Sequence, residues 1–140
     1  MSREINTHKV NGINDGLKLT ATDERSHGNA NHRYHITTEE YPPAIGGGMS
    51  SEDLRKAQAM LHAVHDIHFQ NGTLSEAGIN GLTNEILLAI VIDRLEGFQS
   101  GKYACDANER ALRWLIAAKD TLLDRTRERV ARGVEGTHAV

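Results

Sequence analysis

The alternation of hydrophobic and polar positions near the start of the chain predicts a β-hairpin. Two stretches alternate in the way that strands do, "LKLTATD" from Leu17 and "HRYHITTE" from His32. The polar run between them, "ERSHGNAN", is typical of a turn. We therefore expect an N-terminal β-hairpin region over residues 1–41.

Residues 42–65 predict a connector followed by a short helix. Pro42, Pro43 and the three glycines at 46–48 end any regular element. Ser50 then has the character of a helix cap, and it precedes apolar residues at spacings of three and four, at Leu54, Ala57, Met60, Leu61 and Val64. No Lys-Ser or Lys-Thr follows the glycines, so they lack the phosphate-loop motif, and the role of the 46–64 insert stays open.

A second hairpin is predicted over residues 66–80. Ile67 and Phe69 alternate with polar neighbours, and Asn71-Gly72 is the strongest short-range signal for a hairpin turn. Leu74 and Ile79 would lie on the return arm.

A pair of helices is predicted over residues 83–132. The first begins with Thr83 as its cap and is apolar on nearly every side over residues 86–92. The second runs from about Asn108 to residue 131 with a single apolar stripe, and Gly133 ends it. A short connector favours antiparallel packing. The first helix has more apolar surface than its neighbours can cover, which indicates self-association.

These elements together predict an α+β fold, with a small N-terminal antiparallel β-sheet of two hairpins and a C-terminal antiparallel helical hairpin that mediates oligomerisation. The chain has 140 residues, of which 39% are hydrophobic and 25% charged. That profile is typical of one ordinary soluble domain, so we expect a single domain over residues 1–140 that ends in a loop at 133–140.

Charge and cysteine content narrow the partners and the compartment. The formal net charge of −3 argues against a general DNA- or RNA-binding surface. Cys105 is the single cysteine, which excludes an internal disulfide and suits a reducing compartment. The N-terminus has no apolar core of signal-peptide length, and the longest apolar run is too short to span a bilayer. We therefore expect a cytoplasmic protein with no membrane partner.

The stretch "RTRERVARGVEGTH" concentrates positive charge near the end of this acidic chain. On a helix, Arg125, Arg129 and Arg132 fall within roughly 60° of one another, whereas Arg127 lies on the other flank of the apolar stripe. Guanidinium forks match phosphate oxygens, which favours an anion site.

The loop after these arginines could complete such a site. Its two glycines expose backbone amides that, with Thr137 and His138, could close over an anion. The alternative is solvated charge at a helix end, partly neutralised by Asp124 and Glu128. Composition and spacing leave both interpretations open.

Catalytic and metal-binding patterns are weak. Two histidine groups, His62, His65, His68 and His27, His32, His35, do not have convincing ligand spacing, so we predict no metal and no cofactor. Nucleophile motifs are absent from the sequence, and His138 is the one candidate base near the arginines. We therefore predict a protein that is not an enzyme.

Several sequence motifs in the second half of the chain indicate its function more specifically than composition does. They are "FQNG", "GINGLTNE", "AIVIDRLEGFQSG", "YACDAN" and "RGVEGTH", between Phe69 and His138. Over this half of the chain the sequence resembles the phage family of Thoeris anti-defence sponges, whose hairpin domain is shared with anti-CBASS cyclic-nucleotide sponges. The resemblance implies a homo-oligomer, from dimer to hexamer, that captures cyclic ADP-ribose isomers made by the host's TIR-domain proteins and does not cleave them.

The resemblance also implies roles for individual residues. Phe98 matches the base-stacking aromatic residue, Asn108 the adenine-side asparagine, and Arg125 and Arg129 the pyrophosphate contacts. Arg132, Thr137 and His138 are further candidate ligand contacts on the charge and loop pattern alone. Some members also bind cyclic di- or trinucleotides at separate sites. Here Asp106 stands where an arginine is common and Arg113 where a lysine is common, which puts that second site in doubt.

The predicted function is therefore immune evasion in the cytoplasm of an infected bacterium, by sequestration of a nucleotide signal. The alternatives are a cyclic nucleotide hydrolase and a protein-interaction module. Recovery of intact ligand after denaturation of the protein would separate the sponge from the hydrolase.

Overall fold

The fold was analysed in a computed structural model that describes residues 1–10, 12–39 and 47–140. The chain divides into two compact units, residues 1–68 and residues 69–140. The prediction of one domain over residues 1–140 stays a prediction, since two compact units can serve one function. Pro42, Pro43 and the first glycine of the predicted connector lie outside the described residues.

The first unit is built on an antiparallel sheet. Its strands are β1 (Arg3–Ile5), β2 (Leu17–Ala21), β3 (Arg33–Thr38) and β4 (His65–His68), and they are ordered β1-β2-β3-β4. β2 and β3 pair from Leu17 with Thr38 to Ala21 with Tyr34, which confirms the first predicted hairpin. The sequence pattern did not predict β1, a strand of three residues that is too short for alternation to be visible.

A polar turn joins β2 to β3, as the sequence predicts, and it contains a short 3-10 helix at His27–Asn29. The carboxylate of Asp23 organises it by accepting hydrogen bonds from the backbone N–H groups of His32 at 2.9 Å and Arg33 at 3.1 Å. His32 is buried, and its Nδ1 lies 3.1 Å from the Ser26 hydroxyl. Hydrogen bonds from and to Asp23, Ser26 and His32 thus fix this polar turn.

The predicted short helix is confirmed as α1 (Ser51–Met60). Ser50 caps it, because its hydroxyl accepts a hydrogen bond from the backbone N–H of Asp53 at 3.1 Å. Ala57 on its inner face is almost completely buried. A 3-10 turn, Leu61–Ala63, follows α1 and leads directly into β4.

The second predicted hairpin, over residues 66–80, is wrong. β4 pairs with β3, from Arg33 with His68 to Ile36 with His65. The predicted return arm instead forms a short helix, α2 (Leu74–Ala77), and the unit boundary falls after His68. The strand half of the prediction is therefore correct, but its partner is a strand far away in sequence.

Side-chain hydrogen bonds to the backbone replace the hairpin ladder in this segment. The Gln70 amide accepts from the backbone N–H of Asn80 at 2.9 Å and donates to the Gly78 carbonyl at 2.7 Å. The Asn80 amide accepts from the backbone N–H of Asn71 at 2.9 Å and donates to its carbonyl at 2.7 Å. We call residues 69–82 the clamped loop, since these two side chains fasten its ends to one another.

The helical hairpin of the second unit is confirmed. It comprises α3 (Asn84–Gln99) and α4 (Asp106–Ala131), which pack against each other. The Thr83 hydroxyl caps α3 by accepting from the backbone N–H of Ile86 at 3.3 Å. α4 begins earlier than predicted, with Cys105 at the cap position, so Asn108 lies inside the first turn and is not the cap.

α3 is only partly covered within the chain. Ile92 is buried, but Ile86, Ile90 and Val91 remain between 44% and 54% exposed. This matches the expectation that α3 has surplus apolar surface, and the predicted oligomer itself stays a prediction. Among the described residues, no helix has both the length and the apolar character needed to cross a membrane.

Candidate ligand-binding site

A concave pocket lies at the C-terminal end of α4. Its volume is about 360 Å³, and its lining comprises Arg125, Glu128, Arg129, Arg132 and Val140. The three arginines that the helical rotation grouped together are therefore neighbours. Arg127 points elsewhere and forms an ion pair with Asp124 at 2.6 Å, as its separate angular position predicts.

Gly133 sets the path of the chain beyond these arginines. Its φ of +71° ends α4, and the N–H of Val134 donates to the carbonyl of Arg129 at 3.0 Å. The N–H of Gly133 donates to the carbonyl of Val130 at 2.9 Å, which completes a Schellman motif. The turn directs residues 134–140, which we call the C-terminal loop, back over the last turn of α4.

Arg129 is enclosed by this loop. Its Nε donates to the Glu135 carboxylate at 3.0 Å, and its Nη2 donates to the carbonyls of Val134 and Thr137, each at 3.0 Å. Its Nη1 donates to the carbonyl of Ala139. Four of the five N–H donors of the guanidinium are thus engaged within the described chain. Arg129 organises the loop as well as lining the pocket.

The other two arginines have more donors available. The Nη1 of Arg132 donates to the backbone oxygen of Val140 at 3.0 Å. Arg125 is exposed and has no hydrogen-bond or ion-pair partner in the described part of the chain. An anion in this pocket would therefore find its most accessible guanidinium donors on Arg125 and Arg132.

Thr137 and His138 do not line the pocket. The Thr137 hydroxyl donates to the carbonyl of Val134 at 2.6 Å, and His138 Nε2 lies 3.1 Å from the Glu76 carboxylate on α2. Both side chains thus help to fix the C-terminal loop. Their predicted role as ligand contacts stays a prediction and is not supported by this placement.

Two carboxylates at this site were missed by the sequence prediction as parts of a ligand pocket. Glu128 lines the pocket beside the arginines, and Glu135 forms an ion pair with Arg129. Glu128 is three residues from Arg125 on the same helix, so its spacing could have placed it there. Glu135 follows a glycine turn, and its return to the helix could not be read from periodicity.

A second cluster surrounds Phe98 at the other end of the helical hairpin. The Phe98 ring packs edge-to-face on Tyr103, with ring centroids 6.3 Å apart, and the Arg94 guanidinium lies 5.5 Å from the Phe98 centroid. Asn108 Nδ2 donates to the carbonyl of Tyr103 at 3.4 Å. Phe98 stays 38% exposed, so its ring has accessible surface for another aromatic group.

The predicted base contacts and phosphate contacts are not close together within one chain. At a rise of about 1.5 Å per residue, the stretch of α4 from Asn108 to Arg125 is about 25 Å long. That length is several times the distance from base to phosphate in a nucleotide. One copy therefore supplies an aromatic end and an arginine end, and a single small ligand cannot touch both.

Comparison with known proteins gives this arrangement a context. The chain is 47% identical over 72 residues to the protein named "Thoeris anti-defense 1" of Bacillus phage SBSphiJ7. The aligned part spans 51% of this chain and 51% of that relative, so the match covers about half of each protein. No family model matches the chain. Over about half of its length, this chain is therefore similar to a Thoeris anti-defence protein, which supports the Thoeris part of the resemblance inferred from the motifs.

Proposed function

We propose that this protein is a phage-encoded immune-evasion protein that binds cyclic ADP-ribose isomers and sequesters them without cleavage, which blocks Thoeris-type defence in the host cytoplasm. The observation that carries the proposal is the pair of complementary ends on one helical hairpin, an aromatic-amide end and an arginine end. The relationship to a Thoeris anti-defence protein supports the same conclusion.

The chemistry of the two ends suits the two halves of such a ligand. An adenine ring can stack on Phe98, and the amide of Asn108 can hydrogen-bond a base edge. A pyrophosphate can accept charge-assisted hydrogen bonds from the Arg125 and Arg132 guanidiniums. Nanomolar capture requires roughly 12 kcal/mol, which stacking and charge-assisted bonds can share.

A complete site requires two copies of the chain. Because the ends lie about 25 Å apart, the base and the phosphates of one ligand must be held by different subunits. The exposed side chains of Ile86, Ile90 and Val91 on α3 supply apolar surface for that contact. We therefore propose a homo-oligomer, between dimer and hexamer, with the ligand at a subunit interface.

Hydrolysis of the ligand is the second candidate function. The lining of the pocket changes which residue could act as its general base. His138 is held beside Glu76, away from the pocket lining, whereas Glu128 lies among the arginines. A carboxylate in that position could serve as a general base for water. A hydrolase mechanism would therefore use Glu128, and the experiment below includes its variant.

Recovery of the ligand distinguishes capture from hydrolysis. A cyclic ADP-ribose isomer is incubated with the protein, and activation of the Thoeris effector is assayed before and after heat denaturation of the protein. Capture predicts no activation at first and full activation after heating. If the wild type destroys the ligand and Glu128→Gln does not, the protein is a hydrolase. If the effector is activated fully before and after heating, both functions are ruled out.

The phosphate end has a matched pair of test variants. Arg125→Ala removes an unengaged guanidinium from the pocket, so we expect at least a roughly tenfold loss of affinity, as charge-assisted hydrogen bonds are worth about 1.5–3 kcal/mol. Arg127→Ala removes the same charge outside the pocket and should bind like the wild type. Isothermal titration calorimetry measures both affinities. If Arg125→Ala and Arg127→Ala change the affinity equally, the phosphates do not bind in this pocket.

A further inference from the structure

We propose that Glu135 is a displaceable counter-anion of the site: its carboxylate occupies Nε of Arg129 until a pyrophosphate takes its place. The identity of the ligand that carries this pyrophosphate rests on the proposed function. The exchange itself rests on the contacts of Arg129 and on the charges that line the pocket.

The Nε–H group of Arg129 becomes available to an incoming anion only by exchange. Three backbone carbonyls and the Glu135 carboxylate engage four of the five N–H groups of Arg129 within the described chain. The remaining donor is on Nη1, and both donors of Nη2 bind carbonyls of the C-terminal loop. A phosphate oxygen that replaces the Glu135 carboxylate at Nε therefore forms one charge-assisted hydrogen bond there.

Glu135 is the partner that an incoming anion displaces most readily. It holds Arg129 through one bond, and its side chain is 37% exposed, so water can solvate the carboxylate once it is released. The carbonyls are neutral and belong to the backbone of the C-terminal loop. A pyrophosphate repels the full negative charge of the carboxylate more strongly than the partial charges of the carbonyl oxygens, so like-charge repulsion favours release of Glu135.

The neighbouring side chains give the exchange a preference for ligands with two phosphates. Arg125 and Arg132 attract the same anion from the same pocket, while Glu128 repels it. A single phosphate that satisfies Arg125 and Arg132 leaves the Arg129–Glu135 pair intact. A pyrophosphate has a second anionic group, and that group can reach Arg129 and replace the carboxylate. Because only a second phosphate group can displace Glu135 from Arg129, the site binds pyrophosphates in preference to monophosphates.

Inorganic pyrophosphate is the direct probe of this exchange. In the full-length protein, the NMR signal of the Arg129 Nε–H group should shift as pyrophosphate is added, and inorganic phosphate should shift it less at equal occupancy. Glu135→Gln retains a hydrogen-bond acceptor for Arg129 and removes the competing charge. We expect it to bind pyrophosphate roughly fivefold more tightly than the wild type, the scale of a partly exposed ion pair.

Two control variants separate exchange from general electrostatics. Glu109→Gln makes the same charge change in the first turn of α4, outside the pocket, and should leave affinity unchanged. Glu128→Gln removes a pocket carboxylate that is not among the hydrogen-bond partners of Arg129 in the described chain, and the Arg129 signal should still shift when this variant binds pyrophosphate. An Arg129 signal that stays fixed during wild-type binding would overturn the proposal, as would weaker pyrophosphate binding by Glu135→Gln.

The same experiments distinguish this inference from the proposed function. If pyrophosphate shifts the Arg129 signal but no cyclic ADP-ribose isomer binds, the exchange stands and the proposed ligand is wrong. If a cyclic ADP-ribose isomer is captured while the Arg129 signal never moves, the proposed function stands and the exchange is wrong.

Discussion

Arg129 illustrates what can be predicted for a single residue. The fixed rotation of a helix was sufficient to group Arg125, Arg129 and Arg132 and to separate Arg127. The partners of Arg129 were not predictable, because they are carbonyls of a loop whose direction depends on the turn at Gly133. Sequence therefore identified the charges of the pocket but not how far each charge is already engaged.

This result changes how the arginines should be tested. Arg129→Ala removes the hydrogen bonds that hold the C-terminal loop as well as a pocket cation. A loss of ligand binding in that variant would not separate the two roles. Arg125, which has no partner in the described chain, is the better residue for probing phosphate contact.

Asp23 gives the first unit a predictable dependence on pH. Partial burial raises the pKa of Asp23, but hydrogen bonds from the backbone N–H groups of His32 and Arg33 outweigh it, and the pKa lies below its ordinary value. A folded-state pKa below the unfolded value of about 3.9 stabilises the fold above that pH. The stabilisation is lost as the pH falls through the folded-state pKa.

We therefore expect Asp23→Asn to unfold at a lower temperature than the wild type at pH 7. The difference should shrink as the pH falls below about 4, because the wild-type carboxylate is then protonated. Circular dichroism melts across this pH range measure both trends. If the melting temperatures of the two proteins differ equally at pH 7 and at pH 3, the loss comes from the changed packing of the side chain and not from the charge of Asp23.

At the scale of elements, local signals predicted the helices well. Ser50 and Thr83 cap α1 and α3 as expected, and a glycine with positive φ ends α4. Each signal acts within a few residues, so the sequence carries it directly. The false second hairpin had a strong local signal too, in Asn71-Gly72, but hydrogen bonds from Gln70 and Asn80 across the loop outweigh it.

Gly81 lies where two segments of the clamped loop approach each other too closely for a side chain. A Cβ at this position would lie 2.4 Å from the Phe69 carbonyl carbon, which belongs to the backbone and cannot move aside. The close approach allows the backbone N–H of Gln70 to donate to the carbonyl of Leu82 at 2.8 Å. Glycine at position 81 is therefore a requirement of the crossing of the two chain segments.

We expect Gly81→Ala to reduce the free energy of unfolding by about 3 kcal/mol, the upper range for overpacking. Gly97→Ala is the matched control, since a Cβ there meets no atom within 4 Å and alanine favours a helix by about 0.5–1 kcal/mol. Urea unfolding of both variants measures the contrast. A loss at Gly81 no larger than the change at Gly97 would mean that the crossing is looser than described.

At the scale of the whole molecule, the sequence predicted which helix keeps apolar surface exposed. The mainly apolar α3 cannot be covered by α4 alone, and Ile90 remains 54% exposed. Helical periodicity reveals such a surplus because it counts apolar faces against the elements that can cover them. Periodicity does not reveal symmetry, so it does not predict the number of copies in the proposed oligomer.

Ile90→Glu should dissociate the proposed oligomer, because a charge buried at an apolar interface is costly. We expect a smaller mass in light scattering, an unchanged helix content, and at least a roughly tenfold loss of ligand affinity. Ile13→Glu makes the same change at a side chain that is 84% exposed in the first unit, and it should have no effect. An Ile90→Glu protein with wild-type mass would remove α3 from the interface.

The 25 Å between the aromatic end and the arginine end has a thermodynamic consequence. A ligand that bridges two copies binds the assembled form and not the separate chain, so it stabilises the assembly by mass action. Linkage requires the reverse as well, and assembly raises the affinity for the ligand by the same factor. On the proposed arrangement, the cyclic ADP-ribose isomer made by the host would promote assembly of the oligomer that sequesters it.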